Sequence, residues 1–127
     1  MNKSQIVTLK EIVMVKDSVI YPIILEKLEG EIAIIKQSDF YMPHIHIGNH
    51  KQIQNLLSLE LNVINDALRK SRIKIYEFEQ ADGGIKVRYR CRGHWHHVSF
   101  SPSMIRSNVL VIVCVLSRLD LSSGGIL

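Results

Sequence analysis

Residues 72–100 read RIKIYEFEQADGGIKVRYRCRGHWHHVSF, and this stretch decides the fold. Apolar and charged residues alternate along both sides of Ala81-Asp82-Gly83-Gly84, a turn-forming cluster between Ile73–Glu79 and Ile85–Arg92. Gly93 marks a second turn before His94–Phe100. The segment therefore predicts a three-stranded antiparallel meander. A short loop at Arg92-Gly93 sets Cys91 opposite His94, Tyr89 opposite His96, Arg90 opposite Trp95 and Arg88 opposite His97. Directly opposed residues share a face. Ile85, Val87, Tyr89, Cys91, His94, His96, Val98 and Phe100 then form a core face. Lys86, Arg88, Arg90, Trp95, His97 and Ser99 form an outer face. A four-residue loop at 81–84 places Glu79 opposite Lys86 and Glu77 opposite Arg88, with Tyr76 and Phe78 on the core side.

Helices flank this sheet. Asp17-Ser18 suits a helix start, with Pro22 near the first turn and Ile20, Ile24, Leu28, Ile32 and Ile35 at helical spacing to about Gln37. Gly30 weakens that helix, and residues 31–36 also read as a strand. Residues 6–15 fit strand and helix equally well. Residues 38–50 carry Ser38-Asp39, Met42-Pro43 and Gly48-Asn49 and read as a connection. A helix over about Asn49–Lys70 is the clearest element, with an apolar stripe through Ile53, Leu56, Leu57, Val63, Ile64, Ala67 and Leu68. Ser101-Pro102 opens a last helix to about Leu119, although β-branching over 109–115 leaves a strand open there. The expected architecture is α+β: a meander over about 72–100 with two or three helices on one face. Residues 1–120 form one domain and 121–127 a flexible tail.

At 127 residues and 46% hydrophobic content the chain has the size and composition of a globular domain rather than a disordered one. Cys91 and Cys114 are too few for a secreted disulfide framework. Lys10, Glu11 and Lys16 interrupt any signal-peptide core, and the longest apolar run, Val109 to Leu116, is far short of a bilayer span. A cytoplasmic protein without a membrane partner is expected. The formal charge of +4 permits a nucleic-acid partner without demanding one.

All six histidines fall in two blocks, His44, His46 and His50, then His94, His96 and His97. Zinc accepts imidazole and thiolate, so Cys91, His94 and His96 are candidate ligands at one end of the core face. His44 and His46 share a side if extended and would complete a tetrahedral set. The spacing matches no metal motif, and no cofactor is otherwise implied. The outer face offers the second site: Lys86, Arg88, Arg90, Trp95 and His97 resemble a cationic and aromatic platform for nucleic acid, with Arg72 and Lys74 nearby in sequence. Glu77 and Glu79 oppose that reading by pairing with Arg88 and Lys86.

Catalysis has no local support. No serine sits in a Gly-x-Ser-x-Gly elbow, Gly83-Gly84 lacks phosphate-loop context, and no acidic pair is placed for acid–base work. Val19, Ile20, Ile23, Ile24 and Leu25, and again Leu110 to Leu116, cover more than one helical stripe. Such helices are buried on several sides or meet a protein partner, a second copy included. The expected function is non-enzymatic: a small accessory or regulatory binding protein that contacts nucleic acid through the sheet, or else a protein-interaction module or a histidine and cysteine zinc-binding protein.

Overall fold

A computed structural model of the chain describes residues 7–39 and 41–123, and the side chains of these except Ala81 and 115–123. The elements run α1 (Leu9–Gln37), α2 (Pro43–Lys70), β1 (Ile73–Ala81), β2 (Gly84–Cys91), β3 (His94–Phe100) and α3 (Pro102–Ser123). The architecture is α+β with a meander of order β1-β2-β3, as the alternation predicts. Both hairpins close on two-residue loops, Asp82-Gly83 and Arg92-Gly93. All four of these residues have positive φ, as the type I′ turn requires. The tighter first loop preserves the expected pairs Glu79–Lys86 and Glu77–Arg88.

For residues 9–15 the ambiguity between strand and helix resolves to helix, and α1 starts eight residues before Asp17-Ser18. Thr8 caps it: its hydroxyl accepts the Glu11 N–H at 3.1 Å, while the Glu11 carboxylate accepts the Thr8 N–H at 3.0 Å. Pro22 consequently sits inside a helix, where it costs about 3 kcal/mol. Burial on both sides of α1 offsets that cost. Val15 and Val19 pack with the sheet, and Ile20, Ile24 and Leu28 pack with Ile53 and Leu57 of α2. The several apolar stripes of α1 are thus core. The strand alternative for 31–36 does not form, because α1 continues through Gly30 and buries Ile32 and Ile35.

The connection expected over 38–50 is largely helix. Met42 takes a left-handed conformation and Pro43 occupies the first turn of α2. His50 and Gln54 then tie α2 to α1, His50 Nε2 lying 2.6 Å from Glu31 and Gln54 donating to Glu29 at 2.9 Å. Ser101 caps α3 by accepting the Met104 N–H. Residues 109–115 are helical, not a strand, and 121–123 of the expected tail continue α3. Ile6 and residues 124–127 lie outside the described residues, as do the side chains of Val115 and Leu116.

The sheet's core face carries Ile73, Ile85, Val87, Tyr89, Cys91 and Phe100 against Val15, Val19, Ile64, Leu68 and Ile105, so all three helices meet this one face. Phe78 keeps its register opposite Val87 but remains 53% exposed, because β1 is an edge strand. Among the described residues no helix is long and apolar enough to cross a membrane.

Gly30 gives a direct test of α1. It lies in the helix interior with nothing within 4 Å of an added Cβ. Gly30→Ala therefore raises stability by about 0.5–1 kcal/mol, read as a higher urea midpoint at unchanged m-value.

Candidate nucleic-acid interface

The outer sheet face is built of three cross-strand rows. Lys74, Arg90 and Trp95 form the first, Glu77, Arg88 and His97 the second, and Glu79, Lys86 and Ser99 the third. The second and third rows carry their own counter-charges. Arg88 Nη1 donates to Glu77 Oε1 at 3.0 Å, and Lys86 stands opposite Glu79. The first row has no acid at all. Lys74 directly faces Arg90, an arrangement that costs stability in a sheet. Among the described residues neither of these cations has a carboxylate partner. The outer face is therefore divided: neutralised toward the Asp82-Gly83 turn and cationic toward the Arg92-Gly93 turn.

Aromatic rings occupy the cationic end. Trp95 is 47% exposed, with the Arg88 guanidinium 4.2 Å and the Arg90 guanidinium 5.6 Å from its ring centroid. Tyr76 stands 4.8 Å from Trp95 at 60°, and Lys74 Nζ lies 5.0 Å from the Tyr76 ring. Tyr76 reaches this place through a β-bulge. Ile75 pairs with Tyr89 and Glu77 with Arg88, so Tyr76 is the extra residue between them. It joins the outer face, correcting the expectation that it lines the core.

A shallow cleft of roughly 360 Å³ continues the patch around the end of the sheet, lined by Arg72, Lys74, Arg90, Arg92 and Gly93. Arg92 is held inward: its two terminal nitrogens donate to Glu11 at 2.8 and 3.0 Å. The Arg92 hydrogen bonds pull the Glu11 carboxyl down to about 2 and raise the guanidinium in return. Arg72, Lys74 and Arg90 remain to meet an anion.

Of the candidate interface residues, Arg88, Arg90 and Trp95 come together. Lys86 belongs to the neutralised end, and His97 is exposed opposite Arg88. Sequence reading named Arg72 and Lys74 only as neighbours and missed Tyr76. The like-charged pair Lys74–Arg90 follows from the same bulge: unbroken pairing beyond Glu77–Arg88 sets Lys74 opposite Cys91 and Ile75 opposite Arg90, and nothing in Ile75-Tyr76-Glu77 announces the extra residue.

The candidate zinc ligands are dispersed. Cys91 is buried in the core, where desolvation pushes its thiol up, away from the thiolate that zinc binds. His94 is exposed. His96 stacks on Tyr89 at 5.5 Å, leaving its Nε2 buried without a protein partner, and one such atom does not make a ligand set. His44 and His46 lie in α2, where residues two apart point to nearly opposite sides, so the shared side expected of an extended segment is lost. Among the described residues no three histidine, cysteine, aspartate or glutamate side chains gather as metal ligands.

Compared with known proteins, the chain matches no curated protein and no solved structure. Residues 6–120 match the model of the YhjD protein family.

Proposed function

The chain belongs to the YhjD protein family, and we propose from its geometry that it is a small non-enzymatic protein that binds single-stranded nucleic acid on its outer sheet face. One observation carries this reading: Lys74 and Arg90, cations directly opposed without an acid, stand beside the half-exposed Trp95 and Tyr76. Cations track a phosphate backbone, and exposed rings on an uncovered sheet stack unpaired bases without regard to sequence. An intact duplex hides those base faces, so the single strand is the better fit. Free Cys91 and Cys114 support action in the cytoplasm.

The test is fluorescence anisotropy with labelled oligo(dT) and oligo(U) over a salt series. Three engaged cations, Arg72, Lys74 and Arg90, predict a slope of log K against log salt of about −2. No binding at low salt, or binding indifferent to salt, ends the reading.

A second reading, self-association, is favoured by Leu59 and Val63. They lie one turn apart on α2 and are each 64% exposed. Light scattering checks it: a dimer mass that Val63→Glu converts to monomer supports it, and a monomer at high concentration removes it.

A further inference from the structure

We propose that this protein has a second binding site, for an amphiphile with an apolar chain and a carboxylate head. The site is a cleft of roughly 720 Å³ between α1, the β1–β2 hairpin and α3. Clefts of this size are typical of small-molecule sites. Ile23, Ile85, Ile105 and Val109 supply an apolar lining, and Leu110 extends it at the rim. Ile85 and Ile105 belong to the protein's core, so the floor of the cleft is the core itself, reached from outside. The Asp82-Gly83 turn closes against α3: a Cβ added to Gly83 would stand 3.4 Å from the Pro102 ring carbons.

Charge chooses the head group. Lys27 of α1 and Arg106 of α3 are the charged residues in the lining, and no acid accompanies them. Both are exposed, and among the described residues neither has a carboxylate partner. Two cations on facing helices above an aliphatic floor complement a chain that ends in an anion. The guanidinium fork of Arg106 can receive both carboxylate oxygens, and Lys27 adds a point charge. An uncharged chain would leave both cations unmatched, and a cationic one would be repelled. The cleft opens on the helical side of the sheet, so it owes nothing to the nucleic-acid reading of the other face.

Calorimetry on the full chain with laurate, 1-dodecanol and dodecyltrimethylammonium, all below micelle formation, tests the site. Laurate binds once per chain and about tenfold more tightly than either other probe, the difference expected of charge-assisted hydrogen bonds to the head group. Lys27→Gln with Arg106→Gln abolishes that preference while leaving the apolar contribution. Leu110→Glu, at a position 66% exposed, weakens laurate by a similar factor without lowering the melting temperature. Three results overturn the proposal: no heat with laurate, equal affinity for laurate and the cationic probe, or an unchanged preference in the double variant.

Discussion

Replacing Arg92 by alanine lowers the melting temperature by about 10 °C, the loss of roughly 3 kcal/mol in a domain of this length. Arg92 enters the fold at three points. Its backbone N–H donates to the Arg72 carbonyl at 2.9 Å, its guanidinium donates to the Ser71 carbonyl at 3.0 Å, and the same guanidinium clasps Glu11 through two bonds. Glu11 is only 8% exposed and already serves the Thr8 cap. Without Arg92 its charge stays buried with only the Thr8 N–H donating to it, which makes the single substitution costly. Arg92→Lys keeps the charge but not the fork and loses an intermediate amount. In a cycle with Glu11→Gln the two losses are less than additive, with a coupling of about 2 kcal/mol. An unchanged melting temperature in Arg92→Ala would show that the clasp contributes nothing.

The same pair sets an acid limit. The Glu11 carboxyl is lowered from 4.5 to about 2 in the folded protein. The unfolded chain therefore binds this proton at a higher pH than the folded chain does, and protonation favours unfolding. The stabilisation is complete above about pH 4.5 and is lost as the pH falls toward 2, by an amount on the order of 2–3 kcal/mol. Urea midpoints measured over this range fall more steeply in the native protein than in Glu11→Gln.

Arg90→Glu combined with Trp95→Ala weakens single-stranded nucleic-acid binding by about a hundredfold or more. A base stacked on an aromatic ring contributes about 1–3 kcal/mol, and reversing Arg90 both removes a phosphate contact and supplies a local counter-charge for Lys74. Trp95 is half exposed and among the described residues Arg90 carries no ion pair, so neither change opens the core. The contrast comes from the other end of the sheet. Lys86→Gln touches only the row already balanced by Glu79 and shifts affinity by no more than about twofold. Equal losses from Lys86 and Arg90 would mean that net charge alone, not the row beside the rings, attracts the ligand.

The meander was legible because its signals are local. Asp82-Gly83 and Arg92-Gly93 accept the positive φ of the tight turns, and period-two alternation then sends Val87, Tyr89 and Cys91 to one side and Lys86, Arg88 and Arg90 to the other. The long helices were less legible. Thr8-Leu9-Lys10-Glu11 carries the capping box that starts α1, yet Pro22 and Asp17 suggested a later beginning. Proline's local preference gave way to burial on two sides of the helix, which no local window contains. Met42-Pro43 likewise resembled a loop, and the helix that follows turned two candidate metal ligands, His44 and His46, away from each other.

The order of the strands, the faces of β2 and the body of α2 were thus legible in the sequence alone, through turn chemistry and periodicity acting over a few residues, whereas residues 9–15, 31–36 and 109–115 became helix only through packing. Tertiary structure decided what those faces do. The bulge at Tyr76 brought a second ring to Trp95, packing drew Arg92 inward to Glu11, and the pairing of β1 with β2 left Lys74 and Arg90 together without an acid. Each of these depends on partners between 16 and 81 positions apart along the chain. Contacts that distant become neighbours only when the chain folds, so their energies leave no pattern in the local sequence.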